Sequence, residues 1–341
     1  MQHRITKPSR LLNKRGELKR KGYATSPLLI YRRDDVVKKL RLKEWDYYLI
    51  YNKDYALALT VGKSNCLILV GASFIDFKNN SQNTKNIIRI APKFSMPESS
   101  KQGDIIYKSK LLHVAFKHEN GLRNLYLNMK NFNNKNDFET SIVLSKEPRD
   151  SMVIATPFKE SKKHFYYNRK IIGMKASGFV RFMDQPYLFL AEDSYGILDW
   201  GRGVWPYRTT WYWAAAAGKV CGEGFGFNFG YGFGKNMAAT ENMIFFNGIA
   251  NKLKKIVFHI PKNEKNEYEY MKPWKITSSD GRVELTFDPI LDRSFTLNTI
   301  LLATDQHQVF GKYSGFVVLD DDTIIYLKDF FGFAERVSNR W

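Results

Sequence analysis

Residues 196–218 read GILDWGRGVWPYRTTWYWAAAAG, and four of the chain's seven tryptophans, Trp200, Trp205, Trp211 and Trp213, fall within them. Beside those rings stand Asp199, Arg202, Tyr207 and Arg208. An acid among indole faces is suited to protonating a carbon–carbon double bond. The acid starts a carbocation and the π-faces stabilise it. In such chemistry Asp199 is the candidate proton donor and Tyr207 a second one, acting without a cofactor by hydration or cyclisation. Charged groups in apolar surroundings need partners, so Asp199 is also expected to pair with Arg202 or Arg208 and brace a ring-rich corner. A cation within about 4–6 Å keeps a carboxylate ionised. The acid role therefore requires those arginines to point elsewhere, towards Glu241 or the backbone.

A second run of rings follows in GEGFGFNFGYGFG, residues 222–234. Phe225, Phe227, Phe229, Tyr231 and Phe233 occupy the odd positions, and the even ones are glycine except Asn228. A period of two is that of a β-strand, whereas a helix would scatter the rings around its circumference. Glycine weakens a strand, so the bare face needs a cause: a close backbone or ligand, or the strong coiling of a small barrel. With the four tryptophans, Phe225, Phe227, Phe229 and Tyr231 are the candidate walls of an apolar ligand site. Arg202, Arg208, Glu241 and Asn242 are candidate polar braces. Arg282, Asp292, Arg293, Glu335 and Arg340, in the last hairpins, are expected to form buried arginine–carboxylate bridges at barrel ends. A carboxylate left in an apolar cavity would have a raised pKa and could serve as a general acid.

The elements that must position these residues are short and β-like. DYYLIYN, YALALTVG, NCLILVGASFIDF, KLLHVAFKH and ETSIVLS follow one another with turns between, and the pattern resumes in NMIFFNG, KKIVFHIP and RVELTFDPI. Strand-sized runs every roughly 8–14 residues, with Gly/Asn/Asp turns between, indicate an all-β sandwich or barrel. Ser279-Asp280-Gly281 is the clearest hairpin turn. One short helix is predicted over 34–44, DDVVKKLRLKE, with Asp34 as its cap. Roughly twenty strands exceed one small barrel, so two β-domains are expected: a basic N-terminal arm over 1–44, a first barrel over 45–205 and a second over 206–341.

Composition narrows the partners. The net charge of +19, from 53 Lys+Arg against 34 Asp+Glu, is first concentrated at Arg10, Lys14, Arg15, Lys19, Arg20 and Lys21. That arm could hold the protein peripherally at an anionic inner-membrane surface. No recognition helix, zinc module or ring-bearing RNA signature accompanies the charge, so nucleic acid is not an expected partner. Cys66 and Cys221 give no disulfide framework and fit a reducing cytoplasm. The six histidines are dispersed, no metal motif is present, and no metal or cofactor is expected.

LDWGRGVWPYRTTWYWA, FNFGYGFG, ATEN, SSDGRVELTFDPILDR, QVFGKYSG and GFAERVSNRW together resemble the bacterial family catalogued as domain of unknown function 2804. The resemblance runs from ITKPSRLLNKRGELKRKGY to Trp341. It implies two tandem lipocalin-like antiparallel β-barrels and, through more distant similarity, a group holding carotenoid 1,2-hydratases, tocopherol cyclases and fungal Diels–Alder-type cyclases. These act on long apolar molecules without metal or redox cofactor. Their Asp-His-Asn-x-Gly type motif corresponds loosely to Asp199-Trp200-Gly201-Arg202-Gly203, where Asp199 and Gly203 match and the His-Asn pair is replaced. Three functions remain: binding of a fatty acyl or isoprenoid chain in an aromatic-lined barrel cavity, hydratase or cyclase chemistry on a C=C bond, or a structural protein whose barrels are filled.

Overall fold

The computed structural model describes residues 2–235, 237–299 and 303–340; Trp341, where the family resemblance ends, lies outside them. The N-terminal segment supplies three short strands, β1 (Ser9–Arg10), β2 (Gly22–Ala24) and β3 (Leu29–Ile30). Then come β4 (Lys43–Tyr51), β5 (Tyr55–Ser64), β6 (Leu67–Asp76), β7 (Ser81–Ile90), β8 (Ile105–Lys108), β9 (Leu112–Glu119), β10 (Leu122–Met129) and β11 (Phe138–Ser145). β12 (Met152–Pro157), β13 (Phe165–Phe182), β14 (Gln185–Phe189) and β15 (Tyr195–Val204) complete the first half. The second half holds β16 (Arg208–Val220), β17 (Glu223–Tyr231), β18 (Met243–Phe246), β19 (Ile249–Lys252), β20 (Ile256–His259), β21 (Trp274–Ser278), β22 (Val283–Asn298), β23 (Ala303–Val318) and β24 (Ile324–Arg340).

Two curled antiparallel sheets result, beside a small parallel pair of β1 and β3. The first runs β7-β6-β5-β4-β15-β13-β11-β10-β9-β8, with β12 and β14 also on β13 and β2 on β12; the second runs β19-β18-β17-β16-β24-β23-β22-β21-β20. These are the two tandem lipocalin-like barrels, each closing around its own rings. Trp200, Phe138, Phe165 and Tyr167 fill the first. Phe227, Phe229, Trp274, Phe287 and Tyr313 fill the second. A third apolar cluster lies between them, where Leu49, Ile154, Tyr166 and Ile172 meet Trp213, Phe245, Phe310 and Phe333. The Tyr51 hydroxyl ties the barrels polar-to-polar, accepting from the Ala217 amide at 2.6 Å and donating to its carbonyl at 3.1 Å.

The glycine face of β17 belongs to this seam. A Cβ on Gly226 would lie 2.8 Å from the Ala216 carbonyl oxygen and 2.8 Å from Ile172 Cγ2 of the first barrel. Glycine is needed there because β13 crosses too closely for any side chain. Asn228, the one exception, accepts from Trp213 Nε1 at 2.7 Å and donates to the Glu241 carbonyl at 2.9 Å.

The helix expected over 34–44 is not formed. Two single 3-10 turns, Arg33–Asp35 and Lys39–Arg41, take its place, and Asp34 caps neither. Val36 and Leu42 are pulled into the first barrel's core, and Lys43 already begins a strand, so tertiary burial overrides local propensity. Among the described residues no helix is long and apolar enough to cross a membrane.

The basic arm is built into the first barrel. Ile5, Leu11, Leu12, Leu18 and Tyr31 join its core while Arg10, Lys14, Arg15, Lys19 and Lys21 stay exposed. Gln2 reaches the second barrel, donating to the Leu253 carbonyl at 2.7 Å and accepting from the Thr240 amide at 2.7 Å. Leu11 is 0% exposed. Leu11→Ala is therefore expected to lower stability by about 2–5 kcal/mol in chemical denaturation; a change near zero would mean the arm is a dispensable tail.

Candidate functional site

Strand alternation sorts the tryptophan block. On β15, Asp199 faces outward beside Lys170 of β13 and Tyr47 of β4, its neighbours in register. Trp200 and Arg202 point inward. Trp200 packs edge-on to Tyr167 at 5.5 Å, and the Arg202 guanidinium lies 4.1 Å from the Trp200 ring. Arg202 donates to the Trp45 and Pro97 carbonyls at 2.7 and 2.8 Å and pairs with Asp46 at 3.0 Å. It does not pair with Asp199, contrary to the sequence expectation. Arg208 and Tyr207 are exposed and line no part of the cavity described next.

Asp199 takes a lysine instead. Lys170, 3% exposed, sits 3.4 Å from Asp199 Oδ1 and 3.7 Å from Glu241 Oε2, with its ammonium 4.1 Å above the Trp213 ring. Asp199 also accepts from Asn168 Nδ2 at 2.5 Å and from Trp45 Nε1 at 3.2 Å. Three donors thus converge on it, the arrangement of a brace. Gly201 leaves room for the Trp45 ring, whose nearest atom would be 2.0 Å from an added Cβ. Asn242, the other expected brace, accepts from the Gly230 amide at 2.7 Å and donates to the Lys254 carbonyl at 2.8 Å, outside the cavity.

A cavity of about 370 Å³ opens beside this cluster, between the barrels. One wall is the outer face of the first barrel, where Trp45, Gly62, Leu69 and Ile88 are in register across β4 to β7. The other is the second barrel's outer face, with two registered rows, Trp213–Glu335–Gln308–Arg293 and Trp211–Val337–Gln306–Phe295. Tyr166, Trp205 and Phe233 close one end, their rings within 4.6 to 5.3 Å of one another through Phe233. Of the residues predicted to line a pocket, Trp205, Trp211, Trp213 and Tyr231 do so. Trp200, Phe225, Phe227 and Phe229 do not, because they lie inside the barrels, and Tyr231, on the same face as the three phenylalanines, reaches the cavity from the end of the strand.

Glu335 is the third carboxyl of the site. It accepts from Trp211 Nε1 at 3.1 Å and from Gln308 Nε2 at 3.2 Å, with no ion pair among the described residues. Burial pushes its pKa up to about 7, Asp199 adds to the rise, and the Trp211 bond, Lys170 and Arg293 oppose it. Glu241 is raised in the same direction by burial, against Lys170. Burial also carries the Tyr47 phenol to about 12, and that hydroxyl accepts from Gln308 at 3.1 Å. No group of three or more His, Cys, Asp or Glu is placed to hold a metal among the described residues.

Sequence reasoning passed over Lys170, Trp45, Tyr47, Tyr166 and Gln308, and it treated Glu335 as half of a bridge. Lys170 had a signal: a lysine within the apolar strand HFYYNRKIIGM has no exposed face to occupy.

Between pH 4.5, its ordinary value, and about 7, the folded protein holds a Glu335 proton that the unfolded chain has released. This contribution to stability is complete below the lower value and is lost as pH rises through the upper one. Glu335→Gln cannot ionise, so its stability relative to the wild type should rise across that window, by on the order of 3 kcal/mol. Urea denaturation at stepped pH reads this, and a difference constant with pH would contradict the burial of an ionisable group.

Solved structures share the fold. A protein put forward as an AttH from Nitrosomonas europaea aligns with TM-score 0.56 at 10% identity, covering 88% of this chain and 92% of that one. Kievitone hydratase from Nectria haematococca aligns with TM-score 0.51 at 9% identity, covering 88% of each. CghA with Sch210972 aligns with TM-score 0.54 at 7% identity, again over 88% of each. Comparison with curated protein sequences gives no match. The family model described as Domain of unknown function (DUF2804) matches residues 2–341.

Proposed function

The chain belongs to the DUF2804 family, and we propose that it takes a long, largely apolar small molecule, fatty acyl or isoprenoid, into the cavity between its barrels. One observation carries this reading: a ring-walled space of about 370 Å³ survives between two bodies whose own interiors are filled. Ligand sites run from about 300 to 1,000 Å³, apolar with a few placed polar groups. This reading sets the ligand between the barrels rather than inside one of them.

Glu335 favours a second step on the bound molecule. Held as a carboxylic acid near neutrality and facing the cavity, it can give its proton to one carbon of a C=C bond. The positive charge then falls on the neighbouring carbon, within reach of the Trp211 and Trp213 faces. Water adds there, and the proton it sheds returns to the Glu335 carboxylate, so the sum is hydration with the acid regenerated. Asp199, taken from the sequence as the donor, instead holds Lys170. Kievitone hydratase is a hydratase by name on the same fold, which supports this class of reaction without transferring its substrate.

Gly62 allows a direct test. A Cβ there meets no atom nearer than 3.7 Å, so Gly62→Phe projects into the cavity without a clash at its root. Native mass spectrometry of protein purified from its own host should show a co-purifying apolar ligand that Gly62→Phe loses. Equal ligand on both, or none on either, would remove the reading. Where turnover of that ligand is seen, Glu335→Gln should lower it about 10²–10⁴-fold while binding persists. Asp199→Asn should chiefly lower stability, and the opposite pattern would return the acid to Asp199.

A further inference from the structure

We infer that the ligand of this cavity carries an anionic headgroup, a carboxylate or a group of like geometry, and that Arg293 receives it in a side pocket between β7 and β22. The inference rests on the cavity being a ligand site. The side pocket measures about 190 Å³ and shares Gln306 with the main cavity, so one molecule can occupy both. Gln82, Thr84 and Asn86 of β7 face Arg293 and Ser294 of β22 across it. These are amides, hydroxyls and one guanidinium, with no carboxylate among them.

Arg293 differs from the arginines that brace the two barrels. Arg202 is paired with Asp46 at 3.0 Å and Arg336 with Asp305 at 2.9 Å. Arg293 has no carboxylate partner among the described residues; its Nη1 donates to the Gln308 amide oxygen at 2.8 Å. A guanidinium fixed by a neutral amide and facing a polar pocket presents its remaining donors in a fork that suits two oxygens of a carboxylate or a sulfonate. Its neighbour Asp292 is turned to the other face of β22 and bonds His307 at 2.6 Å.

The headgroup site and the acid share one side chain. Gln308 accepts from Arg293 through Oε1 and donates through Nε2 to Glu335 and to the Tyr47 hydroxyl. The Arg293 charge pulls the Glu335 carboxyl towards ionisation. An anion seated on Arg293 offsets that pull, so a bound ligand helps to keep its own proton donor protonated. The same anchor fixes which carbon of an apolar chain lies over Glu335.

Two fluorescent probes separate the parts. 8-Anilinonaphthalene-1-sulfonate and N-phenyl-1-naphthylamine share one ring system and differ by the sulfonate. Both are titrated into the wild-type protein and into Arg293→Gln, Arg293→Lys, Gly62→Phe and Arg208→Gln, with a thermal melt of each to show folding. Arg293→Gln is expected to lower the affinity for the sulfonate about ten-fold or more and to leave the neutral probe unchanged. Arg293→Lys should keep part of the preference, Arg208→Gln all of it, and Gly62→Phe should exclude both probes. A sulfonate affinity that Arg293→Gln leaves intact, or that Arg208→Gln lowers equally, overturns the headgroup site while the cavity stands. A neutral probe that does not bind, or that Gly62→Phe does not displace, overturns the cavity and this inference together.

Discussion

The barrels meet on a buried ammonium group. Lys170 belongs to the first barrel, and its neighbours come from both: Asp199 on its own sheet, Glu241 and the Trp213 face on the other. An unpaired charge in such a place would cost several kcal/mol, so the seam can dry out only when both barrels supply their groups. Docking and charge neutralisation are then one event. Lys170 is the cation in ion-pair reach of Asp199 and Glu241 among the described residues, Lys252 and Arg293 act on Glu241 and Glu335 from further off, and burial opposes the ionisation of both glutamates. The proton is favoured most clearly on Glu335, which has hydrogen-bond donors but no ion pair among the described residues.

The cavity is a product of the same packing. Each barrel is solid because alternate residues of its strands are large rings, as in Phe225, Phe227 and Phe229. The outer faces are then free to be small where they must touch and bulky where they need not. Gly226, Ala215 and Ala217 let the seam close around Ile172, while Trp45, Trp205, Trp211 and Trp213 hold it apart a few residues away. Two convex surfaces with that distribution leave a ring-walled space. Asp199 and Glu241, which pair with Lys170, stand among the polar groups at its wall.

Much of this was legible in the sequence. The period of two over 222–234 indicates a strand with a ring face and a bare face, and the bare face meets side chains, Ile172 and Thr156 of the first barrel and Glu241. The tryptophan and glycine blocks carried the family and, with it, the tandem barrels. Within that block the same period could have gone further, since residues three apart on a strand face opposite sides and Asp199 could not reach Arg202. What was not legible is register between distant strands. Lys170, Asp199 and Glu335 come from distant strands and Glu241 from the connection between β17 and β18, and the pairing of β4, β13 and β15 in one sheet and of β16, β23 and β24 in the other sets the three strand residues in place. The idea of a carboxyl stranded in an apolar cavity was present in the sequence reading; which carboxyl it is depended on where each arginine points.

The seam raises the pKa of Glu335 and so favours the neutral acid at a pH where a carboxyl in water is ionised. Carbon-13 NMR of the protein labelled at glutamate side-chain carboxyls, with the Glu335 resonance assigned by its loss in Glu335→Gln, measures this directly. The resonance is expected to titrate with a midpoint of about 7. A midpoint at the ordinary glutamate value of 4.5 would contradict this and leave the site without its proton donor.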